Sequence, residues 1–301
     1  MLTLLLACTG GEIGGVPEPI DTATDTADTG PIEDGRLIYQ RRLSVGSLHA
    51  CLLETDGTAK CWGTDAGGQS TPPEVKLRRI SAGNANTCGL DAEGSIHCWG
   101  SNEYGQLDGI PEGDGYADID VGYFHGCALH EDGHVDCWGV NDDGETSAPS
   151  GELTSITAGD SVSCGLAPSE TISCWGGTTS GNADKPSGQY TVADVHSTTG
   201  CAVKKSDDSL ACWGLDNQGQ ASPPGGAFAQ VTTGLYASCA ADAEGAVTCW
   251  GDDRDGLLDA PGAPLRMIGM GWHHACGVRA DDSVLCWGSD PFEVGSLNPP
   301  E

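Results

Sequence analysis

The sequence predicts an all-β fold: a seven-bladed β-propeller with about three antiparallel strands and one disulfide per blade. Three observations carry this. A unit of thirteen residues, fourteen in one copy, recurs from Cys51 to Gly63, Cys88 to Gly100, Cys127 to Gly139, Cys164 to Gly176, Cys201 to Gly214, Cys239 to Gly251 and Cys276 to Gly288, always ending in Cys-Trp-Gly. The first cysteines follow one another at intervals of 37, 39, 37, 37, 38 and 37 residues, and a near-fixed period of this length marks a repeat architecture. The end copies, with Leu48, Leu52, Leu53 and Trp62 in the first and Val278, Val284, Leu285 and Trp287 in the last, are as apolar as the middle ones. An open solenoid needs polar caps, so the repeats are predicted to close into a ring.

Taken in order, residues 1–8 begin with an apolar run, and Leu5-Leu6-Ala7-Cys8 resembles the lipobox of bacterial lipoproteins. That resemblance implies acylation of Cys8 and a membrane association made through lipid alone. A secretory signal also has a cationic start and a longer apolar stretch, so secretion without lipid is the alternative. Residues 9–35 contain Asp21-Thr-Ala-Thr-Asp-Thr-Ala-Asp-Thr29, with too little apolar surface to bury and charge of one sign. A disordered acidic tether is predicted. No run reaches the roughly 18 apolar residues that a membrane-spanning helix needs.

Residues 36–301 are read as the propeller. Each repeat opens on a short alternating run, such as Arg42-Leu-Ser-Val45, Arg79-Ile-Ser-Ala82, Asp118-Ile-Asp-Val121, Ser155-Ile-Thr-Ala158 or Gln230-Val-Thr-Thr233. Alternation of this kind predicts a strand. A glycine, two variable residues and the cysteine unit follow, and each repeat closes through a polar loop on proline. Three strands per repeat result.

The cysteine unit is a hairpin. If Glu131-Asp132-Gly133 is a three-residue loop with Gly133 left-handed, Cys127 lies opposite Cys137 and Leu129 opposite Val135. Facing residues of a non-hydrogen-bonded antiparallel pair have α-carbons about 4.5 Å apart, within disulfide reach. The predicted bridges are Cys51 with Cys61, Cys88 with Cys98, Cys127 with Cys137, Cys164 with Cys174, Cys201 with Cys212, Cys239 with Cys249 and Cys276 with Cys286. The fifth copy has one extra turn residue between Lys204 and Ser209, and the ladder stays in step. Each bridge closes about eleven residues and contributes roughly 2 to 3 kcal/mol in the chain-entropy model. On the other face each Trp lies across from a small residue, Ala50, Thr87, Gly126, Ser163, Gly200, Ser238 or Ala275, which makes the seven tryptophans core.

Fourteen of the fifteen cysteines fall into these pairs, leaving Cys8. No Cys-x-x-Cys occurs and the spacing suits no zinc ribbon, so disulfides and an oxidising, extracytoplasmic compartment are predicted. The chain of 301 residues carries 44 Asp and Glu against 13 Lys and Arg, a net charge of -31. Such a chain repels nucleic acid and anionic membranes. Solvation accounts for most of this charge, and a basic protein partner or a divalent cation is the functional alternative.

The motifs Ala-Gly-x-x-x-x-Cys-x-Leu, Asp-Gly-x-x-x-Cys-Trp-Gly and Asn102-Glu-Tyr-Gly-Gln-Leu107 resemble the regulator of chromosome condensation repeat family over Leu43 to Pro300. The resemblance implies a seven-bladed propeller. The repeat length is similar to that of the secreted β-lactamase-inhibitor propellers, which implies binding through variable loops. Large residues among the two variable positions are Leu48, Tyr123, Phe124, Leu235, Tyr236, Trp272 and His273, at places where other copies have Ser, Ala or Asp, so the fold does not require them. Aromatic residues on a rim are interface anchors. They form the candidate protein-binding site.

His49, His125 and His274 share one repeat position and are read as structural groups bonded to backbone, with a metal site across blades as the alternative. Asp252-Asp-Arg-Asp-Gly256 resembles part of a calcium loop and lacks the later bidentate Glu. No resident cofactor or metal is predicted. No nucleophile elbow, metal triad or phosphate loop is present, so the expectation is a monomeric, non-catalytic protein-binding propeller. It is expected on a bacterial outer membrane or cell surface as a lipoprotein, or secreted, with enzyme inhibition as one mode of action. A carbohydrate-active or hydrolytic enzyme using rim carboxylates and a structural envelope protein are the alternatives.

Overall fold

The computed structural model describes residues 32–33, 36–37, 42–177 and 185–300. The chain divides into two compact units at Ile38. In the first, Ile32–Glu33 and Arg36–Leu37 pair antiparallel with Ile32 opposite Leu37. Residues 32 and 33 therefore form a strand at the end of the predicted tether, and residue 36, predicted to open the propeller, pairs within this hairpin. Cys8 and the Asp21–Thr29 stretch lie outside the described residues.

The second unit contains seven three-stranded antiparallel sheets, each made of consecutive strands in chain order. Blade 1 comprises Leu43–Val45, His49–Leu53 and Ala59–Gly63, and blade 2 Arg79–Ala82, Asn86–Leu90 and Ile96–Gly100. Blade 3 comprises Tyr116–Val121, His125–His130 and Val135–Gly139, and blade 4 Ser155–Ala158, Val162–Leu166 and Ile172–Gly176. Blade 5 comprises Tyr190–His196, Thr199–Lys204 and Leu210–Gly214, blade 6 Gln230–Thr233, Ala237–Ala241 and Val247–Gly251, and blade 7 Met267–Met270, His274–Val278 and Val284–Gly288.

The predicted hairpin register is the observed one. Cys127 faces Cys137 and Leu129 faces Val135, and all seven predicted disulfides form across α-carbon separations of 4.0 Å. The His130 amide donates to the His134 carbonyl at 2.8 Å, and Gly133 has φ +88°. That is a three-residue loop with a left-handed third residue. Blade 5 keeps its ladder, Cys201 opposite Cys212 and Val203 opposite Leu210, with Asp208 left-handed at φ 56°. Its extra residue is absorbed entirely in the turn.

Packing is organised by seams. Seven hydrophobic clusters form, each drawing on two neighbouring blades, and the cysteine face of one blade meets the tryptophan face of the next. Leu129 and Val135 of blade 3 pack with Ile156 and Trp175 of blade 4. The cluster that joins Met267 and Val278 of blade 7 to Leu52 and Trp62 of blade 1 closes the ring. The small residue across from each Trp is a steric requirement where it is glycine: a β-carbon at Gly126 would lie 2.5 Å from Trp138, and one at Gly200 2.4 Å from Trp213.

At five of the seams the indole N–H adds a directional bond. Trp99 and Trp250 donate to the carbonyls of Gln69 and Gln220 at 2.9 Å, Trp175 to Glu145 at 2.8 Å and Trp287 to Leu257 at 3.0 Å. Each acceptor lies in the loop that leaves the preceding blade. Trp62 donates to Ser296 at 3.1 Å, so the closing seam repeats the bond across 234 residues of sequence. Trp138 is buried with no partner for its nitrogen among the described residues.

This contrast sets a test. Trp62→Phe strands the buried Ser296 carbonyl, which costs about 1 to 3 kcal/mol beyond lost packing, whereas Trp138→Phe loses packing alone. Denaturant midpoints are expected to fall further for Trp62→Phe. Equal losses would remove the indole bond from the account of ring closure.

Candidate functional site

The candidate site is the face on which the loops between the first and second strands meet. In blades 1, 3 and 7 the amide of Gly46, Gly122 or Gly271 donates to the carbonyl of His49, His125 or His274 at 2.8 to 2.9 Å. Each is a two-residue hairpin loop. Glycine is needed because neighbouring loops touch: a β-carbon at Gly122 would lie 1.8 Å from the Gly159 carbonyl oxygen, and one at Gly271 2.0 Å from that of Gly46. The second contact crosses the closing seam. Blade 5 has His196 at the glycine position.

The two residues after each glycine crown this ring, and their conformation is locked from outside. The carbonyl of the second residue accepts the amide of the residue that follows Cys-Trp-Gly, as in Val140 to Phe124 at 2.9 Å, Asp252 to Tyr236 at 3.0 Å and Ser289 to His273 at 2.7 Å. The crown is therefore held before any partner arrives.

Four of the predicted rim residues come together. Tyr123 of blade 3 stacks on Trp272 of blade 7 with ring centroids 5.5 Å apart, although the two belong to blades that are not neighbours. Tyr123 also meets Phe124 at 4.2 Å, and Trp272 meets His273 at 6.5 Å. Two residues outside the predicted set extend the row: Tyr104 packs on Phe124 at 5.1 Å and Phe292 on His273 at 6.2 Å. Six rings form one path across the face. Its ends are the most exposed large hydrophobic side chains of the described residues, Tyr104 at 60% and Phe292 at 61%.

Tyr104 and Phe292 each stand five residues after the Trp of their repeat, where the other copies have no aromatic residue. That shared position is the signal by which the sequence marks them. The remaining predicted rim residues join differently. Leu48 and Leu235 are half-buried, and Tyr236 lies beneath the Arg254 guanidinium, 4.5 Å from its ring centre.

The Asp252–Gly256 stretch uses its carboxylates locally. Asp252 accepts the Arg254 amide at 2.9 Å and pairs with its guanidinium, and Asp253 accepts the Leu258 amide at 3.2 Å. Asp255 meets His273 Nδ1 and Ser289 Oγ, both at 2.9 Å, which fixes the His273 ring in the path. Among the described residues no group of three or more His, Cys, Asp or Glu is arranged to hold a metal ion. A recess lies elsewhere, on the seam of blades 7 and 1, lined by Leu52, Glu54, Trp62, Asp282 and Pro299.

The Regulator of chromosome condensation (RCC1) repeat model matches residues 78–106, 116–145 and 268–292. The ectodomain of the receptor kinase CR4 from Physcomitrella patens is similar at a TM-score of 0.72 and 29% identity, over 82% of this chain and 73% of that one. The chain is built like a regulator of chromosome condensation propeller. The CRINKLY WD40 ectodomain of ACR4 from Arabidopsis thaliana has a TM-score of 0.73 at 22% identity, covering 82% of this chain and 94% of its own. Prp20p from Saccharomyces cerevisiae, at 0.65 and 15% over 76% and 80%, shares the fold alone. No curated protein sequence matches the chain. Seven disulfides suit an oxidising, extracytoplasmic compartment.

The three repeat-position histidines lie buried beneath the crown, and their partners differ from blade to blade. His49 Nε2 bonds Thr87 Oγ1 at 2.8 Å and His125 Nε2 bonds Ser163 Oγ at 2.7 Å. These are hydroxyls of the following blade, and at His125 a backbone bond to Asp160 acts beside the hydroxyl. The corresponding residue for His274 is Ala50, and neither ring nitrogen of His274 has a hydrogen-bond partner among the described residues. Burial pushes the imidazoles down, His49 to about 3 and His125 and His274 to about 4.

The folded values lie below the unfolded value, so the stability that these groups allow is complete above about pH 6.5. It falls as pH drops toward 4, by roughly 2 kcal/mol for each histidine at pH 5. His274→Val, which copies Val162 of blade 4, removes one such group. The variant is expected to gain about 2 kcal/mol on the wild type between pH 7 and pH 5 in denaturant melts. An unchanged pH dependence would contradict a neutral, buried His274.

Proposed function

We propose that the protein is a non-catalytic, extracytoplasmic binding module that docks another protein through the aromatic path of its crown and is tethered to a membrane by lipid on Cys8. The observation that carries this is the six-ring path itself, on backbone that the fold holds rigid. Preformed loops avoid the ordering cost of association, and Tyr and Trp are the side chains that anchor protein interfaces. A rigid docking face acts by occlusion, so inhibition of a partner enzyme is the activity to assay first.

Hydrolysis by rim carboxylates has less support. Asp65, Asp216 and Asp290 accept the amides of Ser70, Ala221 and Val294 at 2.8, 2.8 and 3.0 Å. These bonds shape the loops, and an acid-base pair needs carboxyl groups free to exchange protons with substrate.

The test uses the oxidised protein on a support, with extracellular extract of the source cells as the input. Combined Tyr123→Ala, Phe124→Ala and Trp272→Ala is expected to reduce retention of the bound polypeptide at least tenfold, since each anchor contributes about 2 kcal/mol or more. Tyr236→Ala, outside the path, leaves retention intact. Equal retention by the triple variant would sink the assignment. Separately, Cys8→Ser is expected to move the protein from the membrane fraction to the soluble fraction.

A further inference from the structure

The net charge of the chain conceals an asymmetry between the two faces of the ring. The Asp-Gly turn side is acidic too, but it carries cations that pair with part of its carboxylates: Lys76 with Asp56, Lys205 with Glu170, Lys60 with Glu54, and Arg42 with Asp282. The crown side is different. The loop segments 64–69, 101–108, 140–145, 215–220, 252–257 and 289–296 hold twelve Asp and Glu, and the two-residue hairpin loops add Asp160. Against these, in the same described segments, stands one cation, Arg254, which is itself paired with Asp252.

Concentrated charge of one sign attracts ligands of the other and repels its own kind. The aromatic path runs through this acidic field. Its rings meet at interplanar angles of 64°, 65°, 26°, 84° and 72°, so four of the five contacts are edge-on and ring faces stay open to a cation. The face also contains an example of the contact it favours, the Arg254 guanidinium over the Tyr236 ring at 4.5 Å. A cation between an aromatic face and carboxylates gains from both, since a ring contributes about 0.5 to 2 kcal/mol depending on desolvation.

We infer that the occupant of the crown is a polypeptide segment rich in lysine or arginine, whose cationic side chains seat on and between the six rings while the surrounding carboxylates balance their charge. This rests on the protein-binding reading of the same face and specifies the partner's chemistry.

The experiment presents the oxidised full chain to a bead library of random twelve-residue peptides. Retained peptides are expected to hold at least three times the Lys and Arg content of the library. Acetylating their lysines, or combining Tyr104→Ala, Phe124→Ala and Trp272→Ala in a chain whose near-ultraviolet circular dichroism confirms folding, should each weaken retention at least tenfold. Raising salt from 50 to 500 mM should weaken it too.

Retention of neutral or acidic peptides that the triple variant loses would overturn the cationic partner and leave the docking face standing. Basic peptides held equally by wild type and variant would reduce the effect to bulk charge and overturn the inference. So would an empty selection, or ring-dependent retention confined to neutral glycans.

Discussion

Everything on the functional face depends on the seam, where the disulfide-bearing side of one blade meets the tryptophan of the next. A three-stranded sheet of about five residues per strand cannot hold a core of its own. The seam supplies it, with apolar burial on both sides and an indole N–H that reaches the carbonyl of the preceding loop. Burial alone is tolerant of sliding, because it has no direction. Where it forms, the indole bond fixes height and rotation between blades, and Trp62 to Ser296 applies the same constraint where the last blade meets the first.

Closure then dictates what stands at the centre. Once blades are held at one spacing, the loops between first and second strands approach within contact distance, and glycine is required at Gly46, Gly122 and Gly271 because their α-carbons abut a neighbour's carbonyl. The residues after each glycine are released from this demand. They vary freely between copies, and each is fixed in direction by the bond from the end of the outer strand. Constant scaffold and variable crown are thus adjacent in sequence and opposite in role.

The histidines show how the repeat order itself sets energetics. His49 and His125 find hydroxyls because Thr87 and Ser163 occupy the position one blade later, and His274 finds none because Ala50 follows it around the ring. One residue type at one repeat position has different partners according to its neighbour in space.

By itself the sequence determined the blades. The Cys127–Cys137 pairing, the Leu129–Val135 face and the Trp138–Gly126 face all follow from turn length and the two-residue alternation of a strand, which are local rules. It also marked Tyr123, Phe124, Trp272 and His273 as residues the fold does not demand. Only the tertiary structure decided that Tyr123 and Trp272 touch, that Tyr104 and Phe292 complete the row, and that Tyr236 lies apart beneath Arg254. The Tyr123–Trp272 contact joins residues 149 apart and is set by ring closure, which no local pattern encodes.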